Sequence, residues 1–218
     1  MKRLVNMSVI RKLIRNMLIS IGFKKKRMYQ DIGWFSDYIP KRGKIFLDIG
    51  ANRGEWVKAM KNSFTEIHAF EPDSRPFHEL DKLTDSRIHT YNIGLWNVSK
   101  ILKLKRYDNS EQSTFSEEHP LGHGTSSFEE IEIDCKTLDS FSIKDVSLIK
   151  IDVEGAEVEV VEGAMETITL SKPSLVIEIH KYENIEKIKE LLNFLDYKIT
   201  VKEHPTKYNK NHQWMFCN

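Results

Sequence analysis

The sequence predicts an α/β fold built on a mostly parallel sheet of seven strands, and three observations lead to that prediction. Residues 44–71 read as a buried strand, a glycine-rich turn, a helix and a second buried strand, which is a unit of a parallel sheet. Two further apolar runs, 147–152 and 174–180, flank a helical stretch and read as buried strands of the same kind. The last two runs, 197–202 and 213–217, are joined by a loop too short for a helical crossover, so we expect them to pair antiparallel.

The size and composition of the chain limit its class. The 218 residues suit one α/β domain with peripheral additions. With 33 basic and 32 acidic residues, the charge is nearly balanced and gives no reason to expect a nucleic-acid partner. The two cysteines do not have a metal-binding spacing and cannot form a disulfide framework. No apolar run is long enough to span a membrane, and no cleavable signal peptide is evident. We therefore expect a cytoplasmic protein.

The first 27 residues differ from the rest, because they are basic and contain no acidic residue. Their roughly helical apolar spacing suits a helix that lies on an anionic membrane or docks on a partner, and equally a helix packed on its own domain. A second short helix is expected over residues 29–40, before a break at proline and glycine. The expected organisation is a basic helical extension, 1–40, followed by a domain, 41–218, with an inserted hairpin and loop around 96–139.

The first strand, 45–48, opens the unit that organises the domain. A glycine-rich turn, 49–54, follows it, and then a helix from residue 55 to about residue 61 leads to the second strand, 67–71. Such a unit places a turn and a helix N-terminus at the carboxyl end of a parallel sheet, where open α/β folds bind ligands. A nucleoside-type cofactor is the predicted ligand.

Charge and glycine placement indicate which nucleoside. The turn reads Gly50-Ala-Asn52-Arg-Gly54, so it lacks the middle glycine of the dinucleotide fingerprint, and the Walker pattern is absent from the sequence. A carboxylate from Asp48 at the end of the first strand would repel a diphosphate and suit a ligand with ammonium and sulfonium groups, such as S-adenosylmethionine. Glu71 lies at the end of the second strand, where an acid can accept hydrogen bonds from ribose hydroxyls.

These residues also have purely structural interpretations. Gly50 and Gly54 suit any turn with positive φ, Asp48 suits a helix cap, and Glu71 suits a plain strand end. Their joint placement at the ends of consecutive elements favours the cofactor site.

The next elements are a helix and a third strand. A helix over 72–83 has proline near its start, where a missing N–H costs nothing, and residues 88–93 alternate as a strand. Asn92 and Ile93 at its carboxyl end suit a border of the adenine site, and equally a plain strand end.

A less regular section follows the third strand. Residues 99–107 and 130–137 alternate as two strands, and the polar stretch between them, 108–128, is a candidate substrate loop. Its histidines, His119 and His123, have no metal-ligand spacing and are expected to be solvent-exposed.

Polar side chains follow the two buried strands of the second half. If these strands are neighbours, their polar residues gather at the carboxyl edge of the sheet, where buried charges need partners. These residues are Lys150, Asp152, Glu178 and His180. The structural alternative is an ion pair between Lys150 and Glu178. Between the strands we expect one helix over 156–170, with Glu157 in its first turn compensating the helix dipole, and after them an amphipathic helix over 185–195.

Several motifs resemble one known family. The stretches LIKIDVEGAEVEVVEGAMETI and PSLVIEIH, preceded by LDIGANRGEW, AFEP and CKTLDSF, resemble the FkbM-type S-adenosylmethionine-dependent methyltransferases over roughly residues 44–181. The resemblance implies a Rossmann-like class I methyltransferase fold with strand order 3-2-1-4-5-7-6, helices on both faces and the last strand antiparallel. It also implies methyl transfer to a hydroxyl group, often of a sugar or natural product. By the family pattern, the methionine-side loop would comprise Asp48, Gly50, Asn52 and Gly54, while Glu71 would hold the ribose and Asp152 would lie between cofactor and substrate.

Methyl transfer to a hydroxyl oxygen benefits from in-line positioning and from a base that takes the proton. His180 is the first candidate for that base, because an unperturbed histidine has a pKa near neutrality. Glu178 or Asp152 would orient it or bind the acceptor, and Glu154 is a further candidate. Alternatively, Asp152 and Glu178 would hold a divalent cation that lowers the pKa of the acceptor hydroxyl.

The expected partner is a small-molecule or glycan acceptor. Two other classes of protein compete with this interpretation. A nicotinamide-dependent oxidoreductase would share the strand, the turn and the acid, although the glycine spacing disfavours it. A non-catalytic module would use residues 1–27 to dock on a membrane or a partner.

Overall fold

The computed structural model describes residues 35, 37–83, 85–107, 113–115, 127–203 and 213–218. The chain divides into two units, Met1–Ile39 and Pro40–Asn218. In the first unit, the backbone N–H groups of Tyr38 and Ile39 both donate to the carbonyl of Phe35, at 2.7 and 3.1 Å. The helix predicted over residues 1–27, and most of the helix predicted over 29–40, lie outside the described residues.

The second unit is organised by a seven-stranded sheet. Its strands are β1 (Gly43–Ile49), β2 (Phe64–Phe70), β3 (Ile88–Tyr91), β7 (Val146–Ile151), β8 (Ser174–Ile179), β9 (Ile199–Glu203) and β10 (Gln213–Cys217). They lie side by side in the order β3-β2-β1-β7-β8-β10-β9, and β10 runs antiparallel to both of its neighbours. Numbered within this sheet alone, the order is 3-2-1-4-5-7-6 with the last strand reversed, so the predicted fold is confirmed.

A second, three-stranded sheet holds the predicted insertion. It consists of β4 (Gly94–Leu95), β5 (Lys100–Tyr107) and β6 (Phe128–Lys136), in the order β4-β6-β5. Strands β5 and β6 pair antiparallel as a hairpin, whereas β4 pairs parallel with β6. The predicted third strand is therefore too long: β3 ends at Tyr91, and Gly94 already belongs to the second sheet. A Cβ on Gly94 would lie 2.5 Å from Sγ of Cys135, so the close approach of β4 to β6 requires glycine here.

In the described part of the second unit, two helices precede the insertion, α1 (Glu55–Met60) and α2 (Ser74–Leu80). The helix α2 begins after Asp73, whose carboxylate accepts a hydrogen bond from the backbone N–H of Arg75 at 3.0 Å. The prediction that the helix begins at Pro72 is therefore wrong, because the side-chain cap fixes the start beyond the proline.

The single helix predicted over 156–170 is two helices, α3 (Glu157–Glu162) and α4 (Met165–Ser171). The start of α4 is capped from elsewhere in the chain, since the Asp139 carboxylate accepts hydrogen bonds from the N–H groups of Glu166 and Thr167, at 3.0 and 2.8 Å. At the break, a Cβ on Gly163 would lie 2.1 Å from the carbonyl oxygen of Trp96. The break is thus imposed by tertiary contacts. The last helix, α5 (Asn184–Leu192), follows β8.

The main apolar core is made by the central strands and the helices that cover them. Its buried members include Leu47, Ile49, Ile149, Ile151, Ile177 and Ile179 of β1, β7 and β8. Central parallel strands are covered on both faces, which explains their continuous apolar sequence. Within the described residues, no helix has both the length and the apolar character that crossing a membrane would need.

Candidate active site

The turn after β1 is held against the loop after β7. Its first two N–H groups, from Gly50 and Ala51, both donate to the carbonyl of Phe70 at 3.0 Å. Gly50 has a φ of 73°, and a Cβ added to it would lie only 1.8 Å from the carbonyl oxygen of Asp152. Asn52 and Gly54 also have positive φ, at 48° and 75°. Glycine is therefore required at Gly50 by the close approach of two loops at the carboxyl edge of the sheet, and at Gly54 by its positive φ and by the side chains of Leu80 and Leu83.

Glu71 connects this turn to the end of β2. Its side chain is buried, with Oε2 accepting a hydrogen bond from the N–H of Asn52 at 2.8 Å and Oε1 accepting one from the N–H of Asp73 at 2.9 Å. Burial outweighs these bonds and raises the pKa of Glu71 to about 7. Because a carboxylate oxygen has two lone pairs, each oxygen retains an acceptor site for a ligand hydroxyl.

The residues predicted to border the adenine lie beside Glu71. The Asn92 side-chain amide donates to the carbonyl oxygens of Glu71 and Pro72, at 2.8 and 3.1 Å. Ile93 is partly buried and packs against the main core. The structure therefore brings the amide of Asn92 to the edge that carries Glu71.

Asp48 differs from the prediction that it ends the first strand with its carboxylate aimed into the turn. It lies inside β1 and is fully buried, and its Oδ1 is 3.3 Å from Nζ of Lys150, the residue opposite it on β7. Burial raises the pKa of Asp48, while Lys150 opposes that rise. Its carboxyl group therefore lies beneath the turn, beside Lys150.

Lys150 is the buried cation at the centre of the edge. Its Nζ donates to the carbonyl of Gly50 at 2.8 Å and lies 3.4 Å from Oδ2 of Asp152. Burial by itself would lower the pKa of Lys150, but the carboxylates of Asp152 and Asp48 raise it, and Glu178 adds to the effect. Lys150 therefore lies within ion-pair distance of Asp48 and Asp152, while Glu178, its predicted partner, adds to its electrostatic environment. The lysine also holds the turn through its hydrogen bond to the carbonyl of Gly50.

His180 lies directly after β8 among three carboxylates. Its Nδ1 is 2.7 Å from Oε1 of Glu157, and its Nε2 is 3.3 Å from Oε2 of Glu154 and 3.8 Å from Oδ1 of Asp152. Burial alone would lower the pKa of His180, yet Glu154 and Glu157 raise it well above its ordinary value of 6.5. The shift favours the protonated imidazole, so the reason for which His180 was the first candidate base, an unperturbed pKa, does not apply in this environment.

Glu157 is the site residue that sequence reasoning missed. It is fully buried, with Oε1 also accepting from the N–H of Gly155 at 2.8 Å and Oε2 accepting from the side-chain amide of Asn184 at 2.6 Å. Although burial acts to raise the pKa of Glu157, the hydrogen bond from His180 and its charge lower it. Glu157 lies in the first turn of α3, where we expected it to compensate the helix dipole, and its carboxylate also contacts His180. No sequence spacing links two residues this far apart.

The predicted substrate loop reaches this edge through one described residue. Thr114 is buried, its Oγ1 donates to the carbonyl of Glu154 at 2.5 Å, and its backbone pairs with Lys105 of β5. Glu154 has a φ of 52°, so the turn after β7 is held in a conformation that is unusual for a non-glycine residue. His119 and His123 lie outside the described residues.

The edge also offers a candidate cation site. One ligand atom each from Asp152, Glu178 and His180 lies within 4.8 Å of the others. Asp152 keeps 29% of its side chain exposed and Glu154 keeps 19%, so both carboxylates are open to a ligand. The predicted cluster is thus brought together, and it can bind hydroxyl groups, hold a proton or hold a cation.

Comparisons with known proteins agree with this architecture. The family described as Methyltransferase FkbM domain matches residues 48–203. A crystal structure of Methyltransferase FkbM from Methylobacillus flagellatus KT is 22% identical, with a TM-score of 0.60 over 82% of this chain and 44% of that chain. An rRNA methylase structure from Streptococcus thermophilus is 10% identical, with a TM-score of 0.51 over 90% and 98% of the two chains. These two likenesses concern the fold alone.

A curated relative provides a further comparison. Methyltransferase 1 of Beauveria bassiana (strain ARSEF 2860) is 28% identical over 55% of this chain and 57% of the relative. The chain spans only about half the length of the relative and of the FkbM structure that it matches.

Proposed function

The chain belongs to the methyltransferase FkbM family, and we propose that it transfers a methyl group from S-adenosylmethionine to a hydroxyl oxygen of a sugar, a glycan or a related natural product. The observation that supports this most is the meeting of two groups of residues at one edge of the sheet. The glycine turn and Glu71 lie at the ends of β1 and β2, and the carboxylate–histidine cluster lies at the ends of β7 and β8. A cofactor site next to a polar acceptor site is what such a transfer needs.

The residues at this edge fit the proposed cofactor. When bound, S-adenosylmethionine supplies a methyl group carried on a positively charged sulfur. We assign the turn formed by Gly50, Asn52 and Gly54 to its methionine side and Glu71 to its ribose, because the Glu71 oxygens retain acceptor capacity. Asp48 contributes only its charge, since its side chain is fully buried. A diphosphate would be repelled by the carboxylates at this edge, because the nearby cation, Lys150, is already paired with Asp48 and Asp152.

The acceptor hydroxyl must lose its proton during the transfer. We assign this proton to a carboxylate among Asp152, Glu154 and Glu178, because the raised pKa of His180 favours its protonated form. The role of His180 is then to orient Asp152 and Glu154 with its positive charge, while Glu157 holds the imidazole from the other side. His180 as the base remains the competing assignment.

A cation-assisted version uses the same residues. Asp152, Glu178 and His180 offer two carboxylates and one imidazole, a set that suits a divalent ion. A cation there would lower the pKa of the acceptor hydroxyl. Loss of turnover in EDTA and recovery with added Mg²⁺ or Mn²⁺ would select this version, whereas turnover that is insensitive to EDTA would leave the proton to the carboxylates.

The cofactor assignment is tested by calorimetry on the purified chain. We expect S-adenosylmethionine and its demethylated product to bind the native protein, and Glu71→Ala to bind both at least about tenfold more weakly, as expected when hydrogen bonds to a charged group are lost. Glu79→Gln, on the exposed face of α2, is the matched control and should bind normally. Binding of NADH in place of these ligands would contradict the proposal and favour an oxidoreductase.

The acceptor class is tested by turnover. The chain is incubated with S-adenosylmethionine and panels of sugars, glycan fragments and hydroxylated natural products, and release of the demethylated cofactor is followed. Mass spectrometry should then locate the new methyl group on oxygen. Asp152→Asn should lower kcat and also weaken cofactor binding, because it removes an accessible carboxylate that lies between the proposed cofactor and acceptor sites. Methylation found only on nitrogen or carbon would contradict the hydroxyl assignment.

We also propose that residues 1–27 form a basic helix and that the protein is cytoplasmic. The two described cysteines are free and buried, which is compatible with the reducing environment of the cytoplasm that we propose. Co-sedimentation with anionic liposomes, with and without residues 1–27, distinguishes a helix that docks on membranes from one that packs on its own domain.

A further inference from the structure

A second cluster of metal-binding side chains lies away from the proposed active site, on β2 and β3. Glu66 and His68 are two positions apart on β2 and therefore point to the same face of the sheet. His89 lies on the edge strand β3, directly opposite His68 in the parallel register. We call this set the Glu66–His68–His89 cluster. The proposed methyl transfer does not use any of its members.

The three ligand atoms converge. Oε1 of Glu66 is 3.0 Å from Nε2 of His68 and 3.0 Å from Nε2 of His89, and all three atoms lie within 4.8 Å of one another. The two imidazole rings are stacked, with their centroids 4.7 Å apart. Stacking and the strand register thus present both Nε2 atoms to the same carboxylate oxygen.

A hydrogen bond to its second ring nitrogen also fixes the orientation of His68. Nδ1 of His68 is 2.9 Å from the hydroxyl of Tyr91. The ring of Tyr91 is itself held by Phe70, stacked at 4.7 Å, and by the edge of Phe141 at 5.2 Å. A hydrogen bond to the second ring nitrogen is what orients metal-binding histidines in proteins.

From this geometry we infer that the Glu66–His68–His89 cluster binds a transition-metal ion, with Zn²⁺ as the ion that fits best. The two imidazoles are borderline ligands that suit Zn²⁺ and disfavour Mg²⁺ or Ca²⁺, and Zn²⁺ also accepts a carboxylate oxygen as its third ligand. Ligands at 2.0–2.1 Å from a tetrahedral ion are about 3.3 Å apart, so the two distances from the Glu66 oxygen to the histidine nitrogens need to open by only a few tenths of an ångström. His89 and Glu66 keep 43% and 39% of their side chains exposed, which leaves the fourth position open to water.

The same side chains also have a metal-free arrangement. In it, Nε2–H of His68 donates to Oε1 of Glu66, Nε2 of His89 lies 3.0 Å from the same oxygen, and the Tyr91 hydroxyl donates to Nδ1 of His68. Metal binding would replace the Nε2 proton of His68 and turn the Tyr91 hydrogen bond round, so that Nδ1–H becomes the donor. A metal titration distinguishes the two arrangements, because only the second one holds an ion.

A metal here would connect the edge strand to its neighbour through side chains. The carbonyl of Tyr91 accepts a hydrogen bond from the N–H of Glu71 at 3.0 Å, so the connected strands lead directly to the proposed ribose site. The expected role of the ion is structural, since it would hold β3 in register with β2.

The test is a zinc titration of the full chain against a chromophoric chelator, together with the absorption of bound Co²⁺. The native protein should bind one equivalent of Zn²⁺ that His89→Ala lacks, and Tyr91→Phe should bind it about 10- to 100-fold more weakly. His78→Ala, which removes an exposed histidine from α2, is the matched control and should retain the ion. Zn²⁺ should also raise the melting temperature of the native protein more than that of His89→Ala.

The candidate cation site at Asp152, Glu178 and His180 requires one more comparison. The His180→Gln variant should retain the equivalent that His89→Ala loses, because the two sites share no ligand. Equal zinc stoichiometry and affinity in the native protein and His89→Ala would overturn the inference, as would loss of the ion in His180→Gln alone. Neither result bears on cofactor binding, which the calorimetry tests separately.

Discussion

Replacing Glu157 with glutamine tests whether this residue holds the active-site histidine or only compensates the dipole of α3. The substitution keeps the shape of the side chain and removes its charge. In the native structure, the carboxylate accepts hydrogen bonds from His180, Gly155 and Asn184, at 2.7, 2.8 and 2.6 Å. The amide of Asn184 can turn to pair with a glutamine, so the main loss is the ionic bond to a protonated, buried histidine.

The size of that loss follows from burial. A hydrogen bond between charged groups contributes about 1.5–3 kcal/mol, and removing one partner of a buried ion pair costs about 3–5 kcal/mol. Because glutamine keeps part of the hydrogen bonding, we expect Glu157→Gln to lower the free energy of unfolding by about 2–4 kcal/mol. A residue that only compensates the helix dipole would contribute about 0.3–1 kcal/mol.

The chain offers a matched control for this experiment. Glu159 also lies in the first turn of α3 and is only partly buried, so Glu159→Gln removes the same charge from the same helix end. Urea unfolding followed by circular dichroism gives both free energies. Equal losses in the two variants, each under about 1 kcal/mol, would refute the assignment of Glu157 to His180.

The pH dependence of the effect provides a second criterion. The pKa of Glu157 is lowered from its ordinary 4.5, so its contribution is present above that pH and is lost as the pH falls through the lowered value. The pKa of His180 is raised above 6.5, so its contribution is complete below that pH and is lost as the pH rises through the raised value. The difference between native protein and Glu157→Gln should therefore be largest between pH 4.5 and 6.5. A difference that stays constant up to about pH 9 would contradict the ion pair.

Three further predictions concern the same edge of the sheet. Gly50→Ala should abolish cofactor binding or prevent folding, because its Cβ would lie 1.8 Å from the carbonyl oxygen of Asp152; calorimetry and circular dichroism check this. The pKa of Glu71 is raised to about 7, so the stability of the native protein should fall as the pH rises from 4.5 to 7, and Glu71→Gln should remove that fall in urea unfolding. Thr114→Val should lower stability by about 1–3 kcal/mol and lower kcat, because the carbonyl of Glu154 loses a buried donor.

The strands of the main sheet could be predicted because each one is a short, mostly apolar stretch of sequence, which is a local feature. Central parallel strands are covered on both faces, and short runs with a single charged residue among apolar ones, such as FLDI and LIKI, are typical of strands in that position. The break between α3 and α4 could not be predicted, because its causes lie elsewhere in the chain. Asp139 caps the second helix, and the backbone of Trp96 approaches Gly163 too closely for a side chain.

The two halves of the candidate site differ in the same way. The glycine turn and Glu71 are local features, and their positions after two consecutive strands followed from the sequence. The partners of Lys150 and His180 depend instead on how distant elements pack. Lys150 meets Asp48 because β7 pairs with β1, and His180 meets Glu157 because the first turn of α3 lies beside the end of β8.

The charges at the edge explain how an acidic site can exist inside a folded domain. Two buried basic side chains, Lys150 and His180, each lie among carboxylates and form ion pairs with them. Without such partners, each buried carboxylate would cost several kcal/mol. The carboxyl groups around them are Asp48, Asp152, Glu154, Glu157 and Glu178. Because the acids outnumber the cations, the edge keeps an excess of negative charge. In the proposed function, selection of a cationic ligand over a phosphate would therefore depend on the whole cluster, and on the accessible carboxylates of Asp152 and Glu154 more than on the buried Asp48.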